Sequence, residues 1–139
     1  MRGEARARRV LRRALVGAAV ALGVGCANTP LLTYTESNLQ HIRVGDSKER
    51  ILAMFAARMT SEEITHGMTM RAAAKDGSGN LIEVGEVLLV NEEDVFKLIP
   101  YWFLFENRRL QGWGRPEDWR AFSARYQIDF TPSAPVLLH

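Results

Sequence analysis

The stretch Tyr101-Trp-Phe-Leu-Phe105 is the strongest strand signal in the sequence and decides the expected fold. Aromatic residues favour strands, and alternate side chains of a strand point to opposite faces. Five consecutive large apolar residues therefore need a cover on both faces of a sheet. Asn107-Arg-Arg109 predicts a tight turn, and Leu110-Gln-Gly-Trp-Gly114 a strand that pairs back. An aromatic hairpin is thus expected at the centre of the domain.

Two further strands are predicted upstream of this hairpin. Thr65–Lys75 alternates in part, and Leu81–Val90 returns after Asp76-Gly-Ser-Gly-Asn80. This linker is a strong turn signal, because glycine accepts positive φ and Asp and Asn close their own turns. Residues 91–99 are expected to form a connector that is acidic at first and then irregular or helical, ending at Pro100.

Two amphipathic helices are expected to pack on this sheet. The first begins at Lys48 behind a capping Asp46 or Ser47. Its apolar stripe consists of Ile51, Leu52, Phe55 and Met59. Thr60–Glu63 either extends it or caps a short further helix. The second begins at Pro116, and its stripe consists of Trp119, Phe122 and Tyr126. The predicted class is α+β, with two main helices packed on one side of a three- or four-stranded antiparallel sheet.

The first 25 residues have the three parts of an export signal. Six of the 18 basic residues of the chain lie within residues 2–13, and residues 14–25 (ALVGAAVALGVG) carry no charge. This run is too short for a membrane-spanning helix, which needs about 20 apolar residues. We therefore expect residues 1–25 to be a lipoprotein signal peptide that is cleaved.

Cys26 is the only cysteine and directly follows this segment. Exported proteins usually hold cysteines in disulfide pairs, so a single one here indicates attachment of a diacylglycerol through a thioether. Leu22-Gly-Val-Gly-Cys26 resembles a bacterial lipobox, with Gly23 where leucine is usual. The alternative is a soluble periplasmic protein that is cut after Gly25 or Ala27.

Composition divides the exported part into three segments. Residues 26–37 are rich in Thr, Ser and Pro and are expected to form a flexible tether. Residues 38–127 carry the helix and strand patterns and form the predicted α+β domain. Residues 128–139 contain two prolines and are expected to be an extended or loosely ordered C-terminal tail.

The charge of the exported part argues against a nucleic-acid partner. From Cys26 onward there are 12 basic and 15 acidic residues, a net charge of −3, which does not favour phosphate backbones. Ala27 in place of Asp resembles the sorting signal for the outer membrane. The expected partners are the lipid bilayer, through acylated Cys26 at the periplasmic face, and an envelope protein.

The sequence carries no recognisable catalytic, cofactor-binding or metal-binding motif. His41, His66 and His139 are scattered, and the second cysteine that a zinc framework needs is missing. There is no Gly-x-Ser-x-Gly elbow and no Gly-rich phosphate loop. We expect a protein that is not an enzyme and has no cofactor or small-molecule substrate. A pocket containing Glu83, Glu86 or His66 with perturbed acidity would indicate an enzyme instead.

The aromatic hairpin also predicts a binding surface. Helices cover one face of the sheet, and the other face needs the C-terminal tail, the 91–100 insert, or a partner protein or lipid as its cover. The partner-binding surface would then consist of Tyr101, Trp102, Phe103 and Trp113.

Two segments carry a resemblance to a known family. They are Val44-Gly-Asp-Ser-Lys-Glu-Arg-Ile51 and Trp102–Gly114 (WFLFENRRLQGWG). The first is similar to the start of the first helix, and the second to the late hairpin, of small outer-membrane lipoproteins of the SmpA/BamE type. The family's hairpin glycine is Arg108 here, and Arg58–Ser61 stands where its first helix ends in Gly-x-Pro. The extension that leads to Trp119 is more similar to a divergent branch of such lipoproteins.

The resemblance implies a helix pair on an antiparallel sheet and a non-enzymatic accessory role at the outer membrane. We therefore expect an outer-membrane-anchored lipoprotein that acts as a binding or scaffold module, accessory to outer-membrane protein or envelope assembly. The alternative is a periplasmic inhibitor or ligand-binding protein with the same helix-on-sheet fold. An apolar sheet face that stays uncovered, or the size of a pocket near Trp102 and Trp113, would separate the two.

Overall fold

The computed structural model describes residues 34–56, 58–59 and 65–139. The predicted signal peptide, Cys26 and Thr60–Glu63 lie outside these residues. In chain order the elements are a 3-10 helix Glu36–His41, α1 Lys48–Met54, β1 Arg58–Met59, β2 Thr65–His66, β3 Thr69–Lys75, β4 Leu81–Val90, β5 Lys97–Glu106, β6 Arg109–Gly114, α2 Pro116–Ser123 and β7 Val136–Leu137. None of these helices is long and apolar enough to cross a membrane.

An antiparallel sheet with the order β3-β4-β5-β6 is the frame of the domain. The short β7 pairs with the beginning of β5, and β1 and β2 form a separate two-stranded ribbon. The predicted α+β class with an antiparallel sheet is therefore confirmed, with four main strands and a short fifth. The predicted strand Thr65–Lys75 is interrupted at Gly67–Met68, so that its first two residues belong to the ribbon.

Strand β5 begins before its predicted boundary at Pro100, whereas β4 has its predicted bounds, Leu81–Val90. The segment before Pro100 was predicted to be an irregular or helical insert, but Leu98 and Ile99 already pair with β4, and Pro100 lies opposite Leu88. On its other edge β5 pairs with β7 at Lys97 and Leu98 and with β6 only from Trp102 onward. Pro100 lies between these two pairings, where a strand tolerates the missing N–H.

Helix α1 is shorter than its apolar stripe predicts. The Ser47 side chain accepts a hydrogen bond from the Arg50 amide, as expected of an N-cap. The helix ends at Met54, and Phe55 follows as a fully buried residue with ψ of 48°. Met59, which the stripe includes, lies in β1. The apolar spacing therefore predicts the buried residues of the helix and Phe55 but not the point at which the helix ends.

The buried side chains form two clusters on opposite faces of the sheet. The first, called here the α1-face cluster, consists of Ile42, Ile51, Phe55, Met68, Val87, Leu89, Ile99, Tyr101, Phe103, Phe105 and Leu110. The second, the α2-face cluster, consists of Ile82, Val84, Trp102, Leu104, Trp119 and Phe130. The prediction that both helices lie on one side is wrong, since Ile51 of α1 and Trp119 of α2 belong to different clusters. The alternation along β5 explains this division, because each face carries large side chains that need a cover.

The two ends of the domain lie against the sheet. The Val90 amide donates to the Tyr34 carbonyl at 2.9 Å, and the Tyr34 ring packs edge-on against Phe55 at 5.3 Å. At the other end Phe130 is 9% exposed and packs edge-on against Trp119. Parts of the predicted tether and of the predicted loose tail therefore belong to the folded domain.

Candidate functional site

Most of the predicted aromatic surface is buried. Tyr101, Trp102 and Phe103 are 7%, 2% and 0% exposed, and their side chains alternate between the two clusters. Trp113 is half-buried and packs against the α1-face cluster. The prediction that these four residues form one contact surface is wrong for the first three, because α1, α2 and the chain ends cover both sheet faces.

Two glycines allow α2 to lie directly on the end of the sheet. A Cβ atom at Gly112 would be 2.6 Å from ring carbons of Phe122, and one at Gly114 would be 2.9 Å from the Trp102 ring. The centroids of the Phe122 and Trp102 rings are 4.8 Å apart. A side chain at Gly112 would collide with the first ring and one at Gly114 with the second. Pro116 begins the helix and Asp118 caps it by accepting from the Arg115 amide at 3.1 Å. The Gly-Trp-Gly-Arg-Pro sequence therefore positions α2 against β6.

A groove of about 470 Å³ runs between α2 and the edge strand β6. Its lining residues are Trp102, Trp113, Glu117, Asp118, Ala121, Phe122 and Arg125. The aromatic rings give it an apolar floor, while two carboxylates and one guanidinium lie around it. This combination suits an apolar side chain or small ligand with a polar end. It offers no side chain in the arrangement of a nucleophile and its base.

The edge of β6 beside the groove is covered for part of its length. The Gly45 amide donates to the Leu110 carbonyl at 2.8 Å, and the Leu110 amide donates to the Asp46 carbonyl at 2.9 Å. Among the described residues, the backbone pairing from this loop stops at Leu110. From Gln111 to Gly114 no further backbone partner joins the outer edge of β6 among the described residues, although Gly112 and Gly114 are buried there. An unpaired edge is a place where another chain can pair.

A charged network joins the first described residues to the centre of the sheet. The Tyr101 hydroxyl donates to Glu36 Oε1 at 2.5 Å, and Arg115 donates to Glu36 Oε1 at 2.6 Å and to the Tyr101 hydroxyl at 2.8 Å. Burial raises the pKa of Glu36, but hydrogen bonds from Tyr101, the Glu92 amide and Arg115 outweigh it and hold this pKa below its ordinary value. Burial, and then the contact with Glu36, raises the pKa of Tyr101.

This network was missed in the sequence. Glu36 falls in the Thr/Ser-rich segment that predicts a tether, 65 residues from Tyr101 and 79 from Arg115. No local pattern relates positions so far apart. A glutamate just ahead of the first apolar residues was the only signal, and on its own it fits any exposed segment.

The acidic residues that would have indicated an enzyme do not share a pocket. Glu83 lies on the α1 face, where it accepts from Lys48 at 2.6 Å, and its second oxygen is buried without a partner among the described residues. Glu86 lies on the opposite face and accepts from Arg71 and from the amide and hydroxyl of Ser133. The side chain of His66 lies outside the described residues. Glu86 lines a pocket of about 260 Å³ together with Arg71 and Ser133. Glu83 forms its ion pair with Lys48 on the other face of the sheet.

The acidic connector Glu92–Asp94 is a turn. The Asn91 side chain accepts from the amides of Glu93 and Asp94, both at 2.8 Å, and so closes the turn locally. Within the part of the chain that the structure describes, no three His, Cys, Asp or Glu residues come together as a metal site.

Comparison with known proteins found no significant match. No family model matches the sequence, no curated protein is significantly similar to it, and no solved structure matches its fold significantly.

Proposed function

We propose that the chain is an outer-membrane-anchored lipoprotein that acts as a non-catalytic binding or scaffold module, accessory to outer-membrane protein or envelope assembly. The anchor would be acylated Cys26, behind the signal peptide 1–25. The observation that carries the binding role is the groove between α2 and β6, which combines aromatic residues with charged ones.

The fold supports this proposal at the level of its class. In the proposed SmpA/BamE-like arrangement, α1 and α2 are the two main helices that pack on the four long strands. The hairpin of β5 and β6 would be the counterpart of the family's late hairpin. We assign the position of α2 on the second face of the sheet to the divergent branch of these lipoproteins, because α2 follows the Gly-Trp-Gly-Arg-Pro extension.

The anchor is tested by one substitution. Cys26→Ala removes the thiol that would carry the diacylglycerol, so the mature chain should move from the membrane fraction to the soluble periplasmic fraction. Mass measurement of the unchanged protein should show an acylated Cys26 as its first residue. Membrane association that survives Cys26→Ala would refute the lipid anchor and favour the soluble periplasmic alternative.

The groove is tested with a matched pair on α2. Ala121 is exposed and lines the groove, whereas Ala124 is exposed at the C-cap of the same helix and does not line it. Ala121→Arg fills the groove with a long charged side chain, and Ala124→Arg adds the same charge nearby. After capture from native membranes, an envelope protein partner should be lost with Ala121→Arg and retained with Ala124→Arg. Equal recovery with both variants would show that the groove does not bind the partner.

The second candidate is a periplasmic inhibitor or ligand-binding protein. The volume of the groove favours it, because about 470 Å³ is within the range of small-ligand sites. This candidate predicts that a soluble chain with Cys26→Ala keeps its full activity. The lipoprotein proposal predicts that the same chain loses its function in the envelope even when it is present in normal amount.

A further inference from the structure

An exposed apolar surface lies at one end of the sheet. We call it the apolar rim, and its residues are Val95, Phe96, Val136, Leu137 and Leu138, with exposures from 42% to 66%. The two parts of the rim are joined by backbone contacts. Lys97 pairs with Leu137, and the Leu138 amide donates to the Phe96 carbonyl at 2.7 Å. The rim is therefore one continuous surface of the β4–β5 turn and β7.

The chain enters the domain next to this rim. Thr35 forms a parallel bridge with Val90, the last residue of β4. The Glu92 amide donates to a carboxylate oxygen of Glu36 at 3.2 Å. The first described residues are thus held against the same turn that carries Val95 and Phe96.

The distance to the proposed anchor is short. Residue 34 follows Cys26 by eight positions, and a chain of this length spans at most about 28 Å. The ten residues of β5 extend the sheet by about 33 Å away from the rim. An acyl group on Cys26 would therefore hold the point where the chain enters the domain within about 28 Å of the bilayer, and the rim lies at this point whereas the turn at Asn107 and Arg108 lies a strand length away from it.

We propose that the apolar rim rests on the surface of the bilayer and so fixes the orientation of the anchored domain. This inference depends on the proposed acylation of Cys26. A few exposed apolar side chains bind a membrane only weakly by themselves, and stable attachment usually combines two such signals. The acyl anchor supplies the first signal and raises the local concentration of the second.

The charged residues beside the rim indicate which lipid headgroups the rim would tolerate. Glu92, Glu93 and Asp94 are exposed on the same turn, and Lys97 is the one base of the segment from 91 to 97. Three acids against one base are repelled by an anionic surface. The rim therefore suits lipids with a neutral headgroup, and its contact should weaken when anionic lipid is added.

The test compares two exposed positions at opposite ends of β5. Phe96 in the rim is 66% exposed, and Val44 is 64% exposed. Val44 lies at the far end, because its neighbour Gly45 donates to Leu110 and the nearby Lys48 amide donates to Arg108. Phe96→Trp and Val44→Trp each add one tryptophan to an identical background of three. Each full-length protein is purified with its native processing and reconstituted in phosphatidylcholine vesicles with brominated acyl chains.

The expected result is that the added tryptophan of Phe96→Trp emits at shorter wavelength and is quenched by the brominated lipid, while that of Val44→Trp is not. Replacing part of the lipid with phosphatidylglycerol should reduce the quenching. Quenching of both tryptophans, or of neither, in protein that floats with the vesicles overturns the proposal and leaves the lipid anchor intact. A rim that joins two copies of the chain gives a dimer in detergent and no quenching, which also overturns it. Protein whose mass shows no acyl group refutes the proposed function instead.

Discussion

The substitution Tyr101→Phe isolates the charged network that holds the beginning of the domain on the sheet. Phenylalanine fills the space of the tyrosine ring, which is 7% exposed, so no cavity is formed. The variant loses the hydrogen bond to Glu36 at 2.5 Å and the one from Arg115 at 2.8 Å. Glu36 keeps its contacts with Arg115 and with the Glu92 amide. The change therefore removes two hydrogen bonds without leaving a bare buried charge.

The expected loss follows from the burial of the partners. Hydrogen bonds to charged groups contribute about 1.5–3 kcal/mol each when buried. The side chain of Glu36 is 14% exposed, but that of Arg115 is 41% exposed, so water replaces much of the second bond. We expect the free energy of unfolding at pH 7 to fall by about 2 kcal/mol, which is the contribution of the one well-buried bond to Glu36 with little added by the second.

The loss should depend on pH in a defined direction. The folded pKa of Glu36 lies below its ordinary value of 4.5. Its charge-dependent stabilisation is therefore fully present above that value and is lost as the pH falls through the folded pKa. Without Tyr101 the pKa of Glu36 moves upward towards the ordinary value. Once Glu36 is protonated in both states, the effect of Tyr101→Phe should shrink to that of neutral hydrogen bonds, about 1 kcal/mol.

Urea unfolding of the purified protein at pH 7 and at a series of pH values below 4.5 measures both quantities. Tyr126→Phe is the matched control, since Tyr126 is half-buried on Phe122 and its hydroxyl has no hydrogen-bond partner among the described residues. The control should change the free energy of unfolding by less than about 0.5 kcal/mol. A loss from Tyr101→Phe that equals the control, or that does not shrink as the pH falls through the series, would refute the network as a charge-dependent contact.

Three further substitutions test other parts of the fold. Gly112→Ala places a Cβ atom 2.6 Å from the Phe122 ring and should lower the free energy of unfolding by about 1–3 kcal/mol. Arg108→Gly should raise it by about 1 kcal/mol, because Arg108 has φ of 65° in the hairpin turn and glycine adopts this conformation without strain. Ser133→Ala removes a 2.6 Å hydrogen bond to the buried Glu86 carboxylate and should make the C-terminal segment more sensitive to proteases.

Each of these substitutions has a control in the same chain. Gly77→Ala meets nothing within 4 Å and should be close to neutral. Arg109→Gly places a glycine in β6, so it should lower stability where Arg108→Gly raises it. Ser123→Ala removes only an exposed 3.3 Å contact with the Arg120 carbonyl and should leave protease sensitivity unchanged. Equal effects of a substitution and its control would contradict the local cause given for it.

The central sheet could be predicted because its signals are local. The turn Asp76–Asn80 closes itself through Asp76, whose side chain accepts from the amides of Ser78 and Asn80. Asn107 and Arg108 form the turn between β5 and β6, with φ of 48° and 65°. The residues that form each turn lie within a few positions of one another, so the turn can be recognised from the sequence pattern alone.

The extent of β5 could not be predicted, because it depends on residues that are distant in the sequence. Pro100 is a local signal against a strand, and it led to the expectation of an insert. Its position opposite Leu88 depends on which neighbours pair with β5 on its other edge, and one of these neighbours is β7, at the end of the chain. A rule based on nearby residues cannot represent a partner that is almost 40 residues away.

The candidate site shows why an aromatic strand is a poor guide to a binding surface. A strand that is apolar on both faces needs two covers, and a chain that folds alone must supply both. Here Glu36 and Tyr34 on one side and Phe130 and Ser133 on the other come from segments without helical or strand periodicity. Those segments look like tether and tail in the sequence because their polar residues bind distant partners.

A surface that can bind a partner must therefore lie outside the parts of the sheet that α1, α2 and the segments around Glu36 and Phe130 cover. The segments around Glu36 and Phe130 help to cover the two faces of β5, so the aromatic residues of β5 stabilise the core and cannot contact a partner. Two open surfaces of the described residues are the groove between α2 and β6 and the apolar rim around Phe96. Helix α2 can lie this close to β6 because Gly112 and Gly114 lack side chains. The two surfaces differ in chemistry, since the groove has charged groups at its margin and the rim is apolar next to an acidic turn. We propose a partner protein for the groove and a neutral bilayer for the rim, because the two surfaces lie on different parts of the fold and could be occupied at the same time.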